Sequence, residues 1–181
     1  QADRYKNPEA IEAINTSRNR VKAMAIVHEN LYRSSDLAKT HMKDYINSLV
    51  ANIYSVYGVS TERIAFDCRS DGIVFGLDTI IPLGLILNEA VSNSLKHGFP
   101  GGRKGRIYIE LQKDPAGSFM LNINDDGIGV PKNFSTDTAD SLCMILITGL
   151  ASQLDGSAKL ENKHGTKLTI RFKEVKYKSR V

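Results

Sequence analysis

With 181 residues, 41% of them hydrophobic, the chain can form one ordinary domain with a real core and an appendage. Lys+Arg 24 against Asp+Glu 20 leaves a formal charge of +4, and the charges are scattered, which excludes the clustered basic face of a nucleic-acid binder. No run approaches the roughly 18 apolar residues of a membrane span, there is no leader-like stretch, and Cys68 and Cys143 stand far apart without ligand spacing. The cysteines are expected as reduced thiols of a cytoplasmic protein. The chain opens on Gln1 in mid-pattern, so it is expected to be a piece of something longer.

Taken in order, residues 8–34 read as one long helix. Pro8 with Glu9 and Glu12 suits a helix start. Ala10, Ile14, Ser17, Val21, Met24, His28 and Leu31 recur at alternating spacings of four and three, a heptad seam flanked by charge. Such a seam needs a partner helix. A second amphipathic helix is marked by Tyr45, Leu49, Ile53 and Val56 and stops at Gly58. Residues 63–69 (RIAFDCR) and 72–76 (GIVFG) are then expected as a strand pair turning at Ser70-Asp71-Gly72.

A third helix is expected to open near Thr79 as cap, with Pro82 in its first turn, and to run to His97. Its stretch 87–97, LNEAVSNSLKH, has two faces. At about 100° per residue, Leu87, Val91, Ser94 and Leu95 fall on an apolar side. Glu89, Asn93 and Lys96 fall within roughly 60° of one another on the other. An acid, an amide and an amine on one stripe suit a phosphate–metal site, the amide oxygen holding a hard cation and the amine meeting phosphate. The alternative is an ordinary solvated face.

After the loop GFPGGRKG (98–105), residues 106–112 alternate as a strand, Asp114-Pro115-Ala116-Gly117 is a turn, and 118–124 form the returning strand. DDGIGVP (125–131) follows directly. Its glycines allow close approach of backbone to a ligand, and a carboxylate at the end of a buried strand suits a donor such as an exocyclic amine; the alternative is a tight turn. Residues 132–141 are polar and aperiodic, expected as a mobile loop. A helix at 142–154 ends at Asp155-Gly156, and strands at 157–161 and 166–172 turn at His164-Gly165. Mixed helices and strands in this order point to an α+β sandwich.

NEAVSNSLKHGF, then NDDGIGVP, then HGTKLTIRF resembles the ATP-binding catalytic domain of two-component sensor histidine kinases, within the wider GHKL ATPase group. The stretch RNRVKAMAIVHENLYRSSDLA is similar to the second helix of the dimerisation and phosphoacceptor hairpin in the HisKA-type-two subgroup, related to the HWE kinases. The resemblance implies a Bergerat-type two-layer α+β sandwich, a mixed sheet with helices on one face, preceded by a long helix. It divides the chain into hairpin helix (1–35) and catalytic domain (36–181).

It also implies roles. Asn93 would ligate Mg²⁺ and Glu89 would polarise the attacking group. Lys96 would meet phosphate and His97 would line the nucleotide. Asp125 would take the adenine amine on a wall shaped by Gly127 and Gly129, Thr166 would support the base, and residues 130–142 would be the ATP lid. The implied partners are ATP or ADP, a response-regulator receiver domain, and a second copy joined through the hairpin; no nucleic acid is implied. The implied reaction moves the γ-phosphoryl of ATP to a histidine on a first hairpin helix outside this chain. His28, on the heptad seam, reads as a packed histidine rather than that acceptor.

One departure bears on binding: Cys143 stands where this family carries a glycine, and a side chain there narrows the backbone approach to the phosphates. The alternatives are a degenerate nucleotide-binding or dimerisation module, and another GHKL ATPase such as an anti-sigma serine kinase.

Overall fold

The computed structural model describes residues 40–70, 72–130, 142–162 and 164–175. The helix expected over 8–34, with His28, and the loop 132–141 fall outside these residues. A two-residue strand, Thr40–His41 (β1), leads into helix Met42–Tyr57 (α1). Its buried stripe is Met42, Tyr45, Ile46, Leu49, Val50, Ile53 and Tyr54, at the threes and fours of an amphipathic helix. Val56 belonged to the expected stripe but is 52% exposed; Ile53 and Tyr54 fill the inward side of that last turn. Gly58 ends the helix at φ 61°, a left-handed cap that glycine adopts without Cβ strain.

Strands Ile64–Arg69 (β2) and Val74–Phe75 (β3) follow, and they do not pair with each other. This corrects the expected strand pair. β3 runs antiparallel to β1, with His41 opposite Val74. Its Phe75 packs edge-on to Phe119 and Phe172, ring centroids 4.7 and 5.7 Å away. Those rings lie on central strands, so burying Phe75 there draws β3 away from the sheet edge that β2 occupies.

Helix Leu77–Asn93 (α2) starts from Gly76 without a side-chain cap, three residues before the expected cap at Thr79. Thr79 is buried within it, and its hydroxyl accepts the Val175 N–H at 3.0 Å instead of capping. Pro82 therefore lies inside the helix, where it cannot donate to the Asp78 carbonyl. Nor does the α-helix reach His97. Ser94–Gly98 is one turn of π-helix, followed by a 3-10 turn at Pro100–Gly102.

Gly105–Lys113 (β4) and Phe119–Asp125 (β5) form the expected hairpin. Its turn is closed by Asp114, whose carboxylate accepts the Ser118 N–H at 3.1 Å. Leu142–Gln153 (α3), Ser157–Asn162 (β6) and Thr166–Phe172 (β7) complete the described elements. The sheet order is β2-β4-β5-β7-β6, with β2 parallel to β4 and the other neighbours antiparallel.

The strand alternation sorts the layers. Ile107, Ile109, Leu121, Ile123, Leu168 and Ile170 point into one buried core. Register places Tyr108, Asn124 and Lys167 in line on the opposite face, as it does Glu110, Asn122 and Thr169. α1 packs on β2, α2 on β5, and α3 on β6 and β7. This is the expected two-layer sandwich, with its helices on one face.

Two phenols on α1 are buried without cost relief. The hydroxyls of Tyr45 and Tyr54 are enclosed and have no hydrogen-bond partner. Burial holds both in the neutral form, raising the Tyr45 pKa and pushing that of Tyr54 up to about 12 from 10.0. A raised acid pKa stabilises the fold fully below the unfolded value and loses that contribution as pH rises through it. Stability is therefore expected to fall as pH climbs from 10 towards 12. Tyr54→Phe should stabilise by about 1 kcal/mol at pH 8 and should flatten that alkaline decline. Urea unfolding at both pH values measures it, and a destabilised Tyr54→Phe would contradict the assignment.

Candidate functional site

The end of α2 and the π turn deliver Asn93, Ser94, His97 and Gly98 to one wall of a cavity of about 540 Å³. The loop after β5 adds Asp125, Ile128, Gly129 and Val130. Opposite stand Cys143, Met144 and Ile147 of α3, with Leu160 of β6 and Thr166 and Leu168 of β7. The volume suits a nucleotide-sized ligand, and the pattern of apolar walls with a few polar groups is that of a binding site. Asn93 and Asp125 share this one cavity.

Asp125 is the most constrained of these residues. It is 7% exposed, yet its carboxylate meets three donors. Oδ1 accepts the N–H of Gly127 at 3.0 Å and of Thr166 at 3.1 Å. Oδ2 accepts the Ser94 hydroxyl at 2.6 Å. Three separate segments, the π turn, the loop and the start of β7, thus close on one side chain.

Glycines make that approach possible. A Cβ on Gly127 would stand 2.5 Å from the Gly98 carbonyl oxygen. Gly165, at φ 121°, lies so close to the Asp125 carbonyl that a Cβ would overlap it. Gly129 holds φ 74°, and the Asn162 side chain fills the place a Cβ would take. Asn162 also donates to the Val130 carbonyl at 2.9 Å, fixing the loop to the end of β6.

The neighbouring Asp126 turns away. Its Oδ1 accepts the Arg106 N–H at 2.7 Å, and its carbonyl accepts Arg103 Nη2 at 2.8 Å. Only the first of the two adjacent aspartates therefore serves the cavity.

At the other end, Asn93 Nδ2 donates to Cys143 Sγ at 2.8 Å. With the amide N–H engaged, the carbonyl oxygen is the atom of Asn93 suited to a hard cation. Among the described residues, no group of three or more His, Cys, Asp or Glu side chains could hold a metal. A Mg²⁺ here would depend on oxygens brought by a phosphate ligand, which is how Mg²⁺ is ordinarily bound.

Of the residues singled out in the sequence, Asn93, His97, Asp125, Gly129, Cys143 and Thr166 line the cavity together. Gly127 stands behind Asp125 as a donor. Glu89 is buried one turn before Asn93 and is not among the lining residues. Lys96 is exposed, with Nζ 5.9 Å from the centroid of the Tyr57 ring, outside the lining. Of the expected lid, 131–141 lies outside the described residues. Sequence reasoning missed Ser94, which it placed on the apolar side, and Asn162. A serine on an otherwise apolar stripe was a usable signal; nothing marked Asn162.

A histidine kinase family model matches residues 1–57, and the model described as histidine kinase-, DNA gyrase B-, and HSP90-like ATPase matches residues 78–176. Over 175 residues the chain is 30% identical to the sensor histidine kinase PdtaS of Mycobacterium tuberculosis, covering 94% of this chain. It spans about a third, 34%, of that relative's length. The anti-sigma F factor of Bacillus cereus is 31% identical over 77 residues, 42% of this chain and 48% of that factor. Among solved structures, the blue-light activated histidine kinase EL346 of Erythrobacter litoralis superposes with a TM-score of 0.74 over 87% of this chain and 54% of that one. At 18% identity, this likeness speaks for the fold. The second model spans more than half of the chain, including the segments that line the cavity from Ala90 to Leu168, and the chain belongs to the histidine kinase-, DNA gyrase B- and HSP90-like ATPases.

Proposed function

We propose that this chain is the catalytic ATP-binding region of a sensor histidine kinase, with residues 1–35 the trailing helix of its hairpin and 36–181 the ATP-binding domain. The observation that carries the reading is the convergence of Asp125 and Asn93 on one cavity, the first locked as an acceptor and the second bound through its amide nitrogen. The membership of α1 in the same core as α2 and the sheet supports placing it with the domain.

In this reading the adenine amine donates to Asp125 at the deep end, between walls shaped by Gly127 and Gly129. Thr166 supports the base side, and His97 lines the nucleotide. The triphosphate extends towards Asn93 and Cys143, and Lys96 leaves the Tyr57 ring for the phosphate oxygens. The Asn93 carbonyl oxygen would hold Mg²⁺, which when bound would neutralise phosphate charge. Glu89 polarises the attacking imidazole of an acceptor helix outside this chain. That nitrogen bonds to the γ-phosphorus as the bond to the bridging oxygen breaks, and ADP leaves. Positioning and charge neutralisation dominate this chemistry. A receiver-domain aspartate of a cytoplasmic response regulator then takes the phosphoryl group, and the hairpin joins two copies. No described helix is long and apolar enough to cross a membrane.

A second reading, a binding module without kinase activity, is favoured by the contact of Cys143 with Asn93. Mixing this chain with a longer version that carries the acceptor helix, plus radiolabelled ATP, separates the two. Acid-labile, base-stable phosphate supports the kinase. Acid-stable phosphate would point to the serine chemistry of an anti-sigma factor, and no transfer to the binding module.

Two variants probe the cavity by calorimetry with ADP. Asp125→Asn puts an amide donor against a base amine and should weaken binding about 10- to 100-fold; full affinity would contradict the assignment. Cys143→Gly releases the Asn93 amide and opens the approach to the phosphates. It should tighten binding, and an unchanged Kd would remove Cys143 as an obstacle.

A further inference from the structure

We infer that Asn162 is a positioning residue for the nucleotide cavity: from outside the lining, its side-chain amide holds the wall segment 128–130 where a ligand meets it. This rests on the cavity being a nucleotide site, and adds to it a residue that acts through the backbone of others.

Ile128, Gly129 and Val130 line the cavity, yet packing does little to place them, since Ile128 is 60% exposed. A segment with so little buried apolar surface is held by its hydrogen bonds. At its start the Ile128 N–H donates to the Gly98 carbonyl at 2.9 Å. At its end Asn162 Nδ2 donates to the Val130 carbonyl, also at 2.9 Å. Between them Gly129 stands at φ 74°, and the Asn162 side-chain oxygen occupies the room a Cβ would need. One amide thus works at both ends: its NH₂ grips the backbone, and its oxygen fills the open side of the glycine.

Asn162 is the last residue of β6 and stands opposite Thr166 in the β6–β7 register. The Thr166 N–H donates to Asp125 Oδ1 at 3.1 Å. One hairpin end therefore holds the loop at residue 125 and again at residue 130. A wall in place only part of the time lowers apparent affinity by that fraction. The Asn162 bond is solvent-exposed, so its loss should cost a modest factor rather than the site. What the position needs is a proton to give. An aspartate has the same shape but sets a carboxylate oxygen against the Val130 carbonyl.

Calorimetry with ADP on the 181-residue chain tests this. At pH 7, Asn162→Asp and Asn162→Ala should each bind about three- to tenfold more weakly than the wild type, the scale of one hydrogen bond. Lowering the pH to about 4.5, towards the range where carboxylates protonate, returns a donor to the aspartate variant. Its deficit against the wild type at the same pH should then narrow. The alanine variant has no proton to regain, and its deficit should stay. Wild-type affinity at pH 7 in either variant overturns the inference, and either alone decides this should the other not fold. A deficit in Asn162→Asp that acid leaves undiminished also overturns it, because the donated proton then plays no part. If the wild type itself does not bind ADP, the nucleotide reading falls and this inference with it. If it binds and the variants match it, only the role of Asn162 falls.

Discussion

The structure turns on one buried carboxylate. Asp125 ends β5 and is gripped by a hydroxyl from the π turn, an N–H from the loop that follows it, and an N–H from the first residue of β7. A buried carboxylate is tolerable only when its lone pairs are met. The chain meets them from one neighbour, 2 residues on, and from two distant places, 31 and 41 residues away. Each donor can come close because a neighbouring position has no side chain: Gly98 and Gly127 let loop and π turn touch, and Gly165 lets β7 pass over the strand end. The requirement of one side chain therefore explains the glycines on three elements.

The same constraint divides the labour of two identical neighbours. Asp125 points into the cavity, and Asp126 ties β4 and the preceding loop together through Arg106 and Arg103. Strand alternation produces this split, since successive residues face opposite ways. The first aspartate gives the cavity its recognition group, and the second holds the rim in place. Farther along, Asn162 anchors the loop at Val130, so both ends of the glycine-bearing segment are fastened to strands.

Much of this was legible in the order of residues, for reasons of range. The β4–β5 hairpin followed from Asp114-Pro115-Ala116-Gly117, where a carboxylate and a glycine close a local turn. The stop at Gly58 was equally local. The partner of β2 was not legible, because parallel pairing with β4 joins residues some 41 positions apart and leaves no local mark. The end of α2 was misread for a different reason. Counting at about 100° per residue presumes α-helical winding, and that holds only to Asn93. Glu89 and Asn93 therefore keep their expected relation, while Lys96 lies over Tyr57. Ser94, assigned to the apolar side by the same count, instead reaches Asp125.

The wider turn at Ser94–Gly98 makes this stretch sensitive to the number of its residues as well as to their kind. A π turn holds one residue more than the α turn it replaces. Removing the extra residue would replace the wide turn by an ordinary α turn and change which side chains of Ser94–Gly98 face the cavity wall. The wall of the pocket therefore depends on the number of residues between Asn93 and Phe99 as well as on Ser94 and Gly98 themselves.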